Sequence, residues 1–574
     1  MKVKNSPYLF QLILIFLFLL LRPYNNFEGL LSPWGILFFI IEVFLAVASV
    51  FFLVAGFVRA PYKKVFLYEY LPDLIFSLFI LFFFSLNIFF YGSSWGLLYS
   101  DLVILFSVFS VIFRIFKTHF ETSKISSFWK KFSANPPLTI LLSFIFVIAL
   151  GTILLSMGFS TKDGRGLPFL DALFTSTSAV CVTGLIVTDT ALTFSVFGKV
   201  VLLILLQIGG LGFMILSFFS LYLLIRKIPL SNKVLLSYLL SDDDMHNIHK
   251  VLRSIIAITF SIEGAGAVLL FAGFSGRGFP IPERIFHSVF HSVSAFCNGG
   301  FSLFSDNLES FSQSPLVLCT IAFLIISGGL SFSVIINLGI FFKALFRRKS
   351  LKGILSFNSR LVIAGTVFLI IFGTLVIYYL EFTNSLKDFN LGNQYLNAFF
   401  QSVTLRTAGF NSIPFSTLTE ATYFIMMVLM FIGAASGSTG GGIKINTVWV
   451  LLAAVKSFRR GQSSTTLGKY SIPPQKVRDA FIILLSAIFI SFAAIFILSI
   501  TERKPLVHIM FEVFSALSTS GVSAGITPLL TAPGKIIIIL LMFIGRTGAI
   551  TILSAGKKDV ETKVFLPQTE ISIG

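Results

Sequence analysis

The chain has 574 residues, 56% of them hydrophobic and only 12% charged, with 70 phenylalanines and a formal net charge of +18. No soluble fold of that length hides so much apolar side chain, so the bulk of it faces lipid. The positive charge does not mark a nucleic-acid binder, because Lys and Arg are scattered through short segments between apolar runs instead of gathering on one face.

Residues 1–135 contain apolar runs near 8–21, 34–58, 72–91 and 101–116 and read as extra N-terminal transmembrane helices. The first stretch, MKVKNSPYLFQLILIFLFLLL, has the basic start and apolar centre of a signal sequence. Arg22, Pro23, Tyr24 and Asn25 follow at once in place of small cleavage-site residues. It reads as a retained first helix or a re-entrant anchor, short against the roughly 20 apolar residues of a full span.

From residue 136 one order of segments recurs four times: long apolar helix, shorter amphipathic helix, glycine-ended loop, second apolar helix. The segments are 138–157, 168–180, 181–186 and 198–225 in the first unit (136–228), and 251–273, 283–296, 297–302 and 314–342 in the second (229–345). They are 361–380, 393–405, 406–411 and 422–455 in the third (346–460), and 479–499, 506–517, 518–523 and 533–555 in the fourth (461–558). Residues 559–574 form a cytoplasmic tail. The middle helices are too short to cross a bilayer, so each enters and leaves on one side. Non-helical backbone at membrane depth is tolerated only beside protein or water, so the loops line a cavity. Basic residues gather at 59–64, 117–131, 226–233, 343–352, 456–469 and 557–563, which marks those segments as cytoplasmic and sets the four loops on the outer side.

The loops read VCVTGL (180–185), FCNGGF (296–301), LRTAGF (405–410) and LSTSGV (517–522). Their glycines, Gly184, Gly300, Gly409 and Gly521, each follow a phenylalanine by ten residues: Phe174, Phe290, Phe399 and Phe511. Self-similarity at a steady period marks a repeated structural unit. A dehydrated cation needs a narrow ring of oxygens, and backbone carbonyls supply it without a fixed charge that would trap the ion. Turning successive carbonyls to one axis needs backbone angles that glycine adopts freely. Hydroxyls and an amide stand beside the glycines at Thr183, Asn298, Thr407, Thr519 and Ser520. The short helices would aim their negative carbonyl ends at the cavity, which favours a cation there.

This unit resembles the Trk/Ktr/HKT superfamily of potassium transporters. SAVCVTGL, SAFCNGGF, SVTLRTAGF and SALSTSGVSAG are similar to its four pore loops, most closely those of bacterial Trk/Ktr membrane subunits, over about residues 136–556. The resemblance implies an all-α polytopic membrane protein. Four M1-P-M2 repeats (helix, pore loop, helix) would stand in a pseudo-fourfold arrangement around one pore, with the N-terminal helices added, in a length beyond the family's usual addition. It implies potassium uptake across the cytoplasmic membrane and no enzymatic activity. It also implies a homodimer in membrane lipid, and a cytoplasmic ring of nucleotide- or dinucleotide-binding regulatory subunits. Potassium (K+) would bind at the filter: Val182, Thr183 and Gly184; Asn298, Gly299 and Gly300; Thr407, Ala408 and Gly409; Thr519, Ser520 and Gly521. A serine at the first glycine accompanies sodium permeation in the family, and Gly184 therefore implies potassium. A sodium-permeable pore, or one coupled to sodium or protons, is the alternative. A membrane-embedded enzyme is the remote one, since no acid, base and nucleophile are grouped.

Two further features match. GAASGSTGGGIKIN (433–446) interrupts the third unit's second helix, and five glycines at about 1 kcal/mol each oppose a plain helix. The family uses this segment as a gate, which implicates Gly437, Gly440, Gly441, Gly442 and Lys444; a packing kink is the other reading. Arg546, in FIGRTGAI, is costly inside a membrane unless it faces a cavity or a partner. The family reading puts it in the pore below the filter, and a buried pair with Glu263 or Glu512 is the alternative.

His287 and His291 have the i, i+4 spacing of a zinc pair, but Ser288 stands where HExxH has its glutamate, and no third ligand is evident. Cys181, Cys297 and Cys319 show no CxxC spacing and read as packing residues. Glu263 reads as a cross-helix hydrogen-bonding group, and Arg406 as a brace behind the third loop. Asp242, Asp243 and Asp244 form either a solvated loop or a docking site for the regulatory ring.

Overall fold

The computed structural model describes residues 6–21, 33–90, 94–121, 136–212, 248–348, 353–548 and 551. The acidic cluster Asp242 to Asp244, the basic stretch 226–233 and the tail 559–574 lie outside the described residues, as do Lys124, Lys130 and Lys131.

The N-terminal helices are α1 (Ser6–Leu21), α2 (Pro33–Arg59), α3 (Lys63–Glu69), α4 (Leu71–Phe90) and α5 (Ser94–Glu121). Lipid cannot satisfy polar groups, so this bundle turns its few inward. Arg114 on α5 bonds Asp73 on α4 at 2.7 Å, Ser110 Oγ donates to the same carboxylate at 2.6 Å, and Arg114 Nη2 donates to the Ser49 carbonyl on α2. Asn87 Nδ2 donates to Glu42 at 2.5 Å. The bundle is fastened to the rest by the Gly158 N–H, which donates to Asp101 at 2.6 Å, and by Phe16 edge-on to Phe169.

The first unit comprises α6 (Pro136–Ser156), α7 (Phe169–Val180) and α8 (Val196–Leu211). The second has α9 (Ile248–Gly273), α10 (Ile281–Phe296), α11 (Pro315–Gly329) and α12 (Phe332–Phe346); the third has α13 (Phe357–Glu381), α14 (Leu391–Thr404), α15 (Glu420–Phe431) and α16 (Ile445–Arg459). A two-residue hairpin, β1 (Thr466–Leu467) with β2 (Tyr470–Ser471), leads to the fourth: α17 (Pro474–Thr501), α18 (Leu506–Ser518) and α19 (Ala532–Thr547). Six described helices are long and apolar enough to cross a membrane, or seven spans if the bent pair α11–α12 is one. The outward faces are apolar, as on α17, where Phe489, Phe492 and Phe496 are exposed.

Each short helix α7, α10, α14 and α18 is buried over its C-terminal half. In three units a serine of the short helix donates to a carbonyl of the preceding long helix: Ser176 to Ile148 at 2.8 Å, Ser292 to Glu263 at 2.6 Å, and Ser402 to Ile370 at 2.8 Å. Gly151, Gly266 and Gly373 stand at these contacts, where a built Cβ would strike the serine.

The structure corrects two expectations. In the third unit the fully buried phenylalanine is Phe400, with Phe399 only partly buried. The amides of Thr183, Gly299 and Ser520 bond the carbonyl five residues earlier (Ser178, Ser294, Ser515), whereas Ala408 bonds Thr404, four residues earlier. One residue is missing from that turn, so Phe400 is the partner of Phe174, Phe290 and Phe511. The second correction concerns the interruption of the third unit's second helix, which is not peculiar to that unit. Helix ends occur at Leu211, Gly329, Phe431 and Thr547, at the matching stretches IGGLG, SGGLS, IGAAS and IGRTG. Gly212 (φ 83°) and Gly548 (φ 81°) turn the chain out of the first and fourth helices, and the second bends by 112° into α12. The helices thus end at Leu211 and Thr547, and beyond Gly212 and Gly548 the remainders of the runs expected to reach 225 and 555 lie outside the described residues apart from Thr551.

Candidate functional site

Each glycine loop leaves its short helix through a left-handed residue, then one with negative φ, then a left-handed glycine. The pairs are Val182 and Gly184 (φ 55° and 95°), Asn298 and Gly300 (60° and 66°), Thr407 and Gly409 (70° and 85°), and Thr519 and Gly521 (53° and 74°). Alternation of this kind turns successive carbonyls toward one side, whereas in an ordinary strand they point alternately to opposite sides.

The four glycines adjoin in a ring. A Cβ built on Gly184 would lie 3.0 Å from the Gly300 Cα, and one on Gly300 would lie 2.9 Å from the Gly409 Cα. One on Gly409 would lie 3.4 Å from the Gly521 Cα, and one on Gly521 2.9 Å from the Gly184 Cα, closing the circle. Carbonyl oxygens of the preceding residues crowd the same space: Gly299 O is 2.9 Å from the Gly184 position, Ala408 O 2.8 Å from Gly300 and Ser520 O 3.1 Å from Gly409. The twelve residues read from the loops thus sit together. Their side chains at Val182, Thr183, Asn298, Thr407, Ala408, Thr519 and Ser520 are buried. On the helix-starting side of the ring, Lys535 on α19 bonds Asp171 on α7 at 2.6 Å and ties the fourth unit to the first.

The segment Gly433–Lys444 lies directly against this ring. A Cβ on Gly440 would strike Thr407 Oγ1 and lie 3.4 Å from Asn298 Nδ2; one on Gly441 would strike Thr519. Only glycine lets the segment come so close. Its two ends are held together by the Gly433 N–H donating to Ile443 O at 2.9 Å, with Ile432 and Ile443 bridged. Its first half is tied to the α11–α12 bend: the Ala435 and Thr439 amides donate to Gly329 O and Gly328 O at 3.2 Å, and the Phe332 amide donates to Gly437 O at 3.4 Å.

Two cationic side chains enter here. Lys444 Nζ donates to Gly440 O at 2.6 Å. Arg546 stands at the end of α19, not mid-helix. Its guanidinium donates to Thr439 O of the third unit, and to Gly209 O and Gly210 O (3.3 Å) of the first. It pairs with neither Glu263 nor Glu512: Glu512 accepts from Thr527 Oγ1 at 2.9 Å and from Ser523, and Glu263 accepts from Gln207 Nε2 at 3.4 Å. Arg406 stands behind the third loop, where its own carbonyl accepts from Asn298 Nδ2 at 3.3 Å and its Nη1 donates to Ile432 O at 3.4 Å.

His291 is occupied by the His287 carbonyl at 2.7 Å and Ser302 Oγ at 3.0 Å, and no metal-ligating cluster occurs among the described residues. Cys181 and Cys297 are buried at the ends of α7 and α10, whereas Cys319 is exposed. Sequence reasoning missed Glu381 and Glu502, which accept hydrogen bonds at the start of the second long helix of their own units. Glu381 accepts from the Thr419 N–H at 2.9 Å and from Thr422 Oγ1 at 2.5 Å at the start of α15; Glu502 accepts from the Thr531 N–H at 3.1 Å at the start of α19. Acid followed 29 to 38 residues later by a helix-starting threonine was the available signal.

A family model described as TrkH, cation transport protein, matches residues 103–564. The chain is 36% identical over 448 residues to Ktr system potassium uptake protein B of Bacillus subtilis, a match covering 78% of this chain and 98% of that protein. It is 34% identical to the potassium/sodium uptake protein NtpJ of Enterococcus hirae over 77% of this chain and 97% of that one. The fold is similar to the crystal structure of the potassium transporter TrkH from Vibrio parahaemolyticus, with a TM-score of 0.60 over 91% of this chain and 98% of that one, at 18% identity. The structural match leaves out 9% of 574 residues, about 52, fewer than the 102 that precede the family model. Part of the N-terminal bundle therefore has a structural counterpart. With the family model spanning most of the sequence, the chain belongs to the TrkH family of cation transport proteins, as a multi-pass protein of the cytoplasmic membrane and not an enzyme.

Proposed function

We propose that the protein takes up potassium through one pore whose narrowest part is the ring of Gly184, Gly300, Gly409 and Gly521. The observation that carries this reading is the ring itself, four contiguous loops of one backbone shape with carbonyls crowded to one space. Such a ring replaces the hydration shell of a cation. The units 136–228, 229–345, 346–460 and 461–558 each contribute one loop in pseudo-fourfold order, with the described helices of 1–135 packed beside the first. The segment from Gly437 to Gly442 is the gate, and Arg546 and Lys444 place positive charge on the ion's path while it is closed. The relatives' names, potassium uptake proteins of Ktr systems, support the ion and a regulatory partner. A homodimer working with a cytoplasmic nucleotide-binding subunit is part of the same proposal. Expression in cells lacking potassium uptake, together with such a subunit, should restore growth at low external potassium. Membrane-inserted protein without rescue would sink the reading.

A second reading, a pore that also passes sodium or couples to it, is favoured by one observation: a relative named for both potassium and sodium uptake. The potassium-to-sodium permeability ratio in proteoliposomes decides between them.

A further inference from the structure

The serine-to-carbonyl bonds that repeat between short and long helices put Glu263 in register with Ile148 and Ile370. Two units have isoleucine at this place and the second has a carboxylate, itself buried. An acid within a membrane span is costly and is kept where it has a task.

Its surroundings indicate the task. Gln207, on α8 of the first unit, donates to Glu263 at 3.4 Å. Cys297 Sγ lies 3.8 Å from Gln207 Oε1 and 4.0 Å from Glu263 Oε1. Cys297 is the residue that leaves α10 and begins the second glycine loop. Opposite it, a Cβ on Gly210 would lie 2.8 Å from the Cys297 Cβ, so α8 presses on the loop without a side chain between them. The next residue, Asn298, donates through Nδ2 to Arg406 O at 3.3 Å and Thr407 Oγ1 at 3.4 Å, so a shift of the second loop is passed to the third.

We propose that Glu263, acting with Gln207, is a positioning residue that fixes the second glycine loop laterally and thereby sets the ion preference of the ring. The inference rests on the ring being the selective part of the pore. Loosening the ring of carbonyls by a fraction of an ångström admits ions of other sizes.

The test uses the full-length protein in proteoliposomes, with potassium and sodium as probes. Glu263→Ile, which installs the residue that the first and third units have at this place, should raise the KM for potassium and lower the potassium-to-sodium ratio about tenfold, as loss of a buried hydrogen bond would. Maximal flux should change far less. Glu263→Gln keeps an acceptor for Gln207 and should restore most of the ratio. Gln207→Leu should reproduce the Glu263→Ile effect, and the double variant should be no worse than either alone. Unchanged KM and ratio in Glu263→Ile, or Glu263→Gln as impaired as Glu263→Ile, overturns the assignment. Gly300→Ser run in parallel separates the two ideas. If Gly300→Ser lowers the ratio while Glu263→Ile does not, only the role of Glu263 falls; if neither does, the ring reading falls with it.

Discussion

At the scale of the residue, the four loops combine glycine with strain. Val182, Thr407 and Thr519 are β-branched yet left-handed, a conformation that costs on the order of 1–3 kcal/mol where the surroundings enforce it. All three side chains are buried, so the surroundings hold the conformation. Gly184 is the most informative single position. At φ 95°, with the Gly299 carbonyl 2.9 Å from its would-be Cβ, any side chain must displace the second loop. Gly184→Ser should therefore widen the ring on one side and shift the permeability ratio toward sodium, measured as a change in reversal potential or in competing rubidium and sodium uptake. An unaltered ratio in correctly inserted protein would count against the ring as the selective element. These glycines were visible in the sequence because each loop announces itself locally. Phe400 was not, because a one-residue deletion leaves the motif looking intact while changing which phenylalanine faces inward.

At the scale of the element, the four second helices all stop at matching stretches of sequence, and the chain leaves them in three ways. The first and fourth turn out through glycine, the second bends into α12, and the third folds back as the segment under the ring. Because Gly433 and Ile443 are already bonded at 2.9 Å, the segment between them can be shortened without parting α15 from α16. Removing Ser436–Gly440 should leave insertion intact and raise rubidium flux several-fold in the absence of any regulatory subunit. Flux at or below that of the intact chain, with normal abundance in the membrane, would contradict a gating role. The broken third helix was legible from five glycines in fourteen residues. The other three endings were not, since a single glycine pair in an apolar run is common in membrane helices.

At the scale of the whole molecule, buried polar groups fasten parts that apolar packing in lipid alone would leave free to slide. The N-terminal bundle is held internally by Asp73 and Arg114 and to the first unit by Asp101. Asp73→Ala breaks the buried pair with Arg114, a loss of about 3–5 kcal/mol. Melting of the purified protein in detergent should fall accordingly, and Asp73→Leu combined with Arg114→Met should recover most of it. A single variant as stable as the parent would show that the pair is dispensable.

Composition, span length and the four glycine loops followed from the sequence, because each is a property of neighbouring residues: apolar runs of membrane length, helices too short to cross, a glycine where the chain must turn left-handed. Partnership was decided by the tertiary structure. Arg546 reaches carbonyls 107 and 337 residues away, Asn298 reaches the third loop, and Glu263 meets a helix of another unit. Lipid supplies no hydrogen bonds, so every buried polar group must find its partner in the folded protein, wherever the chain has placed it.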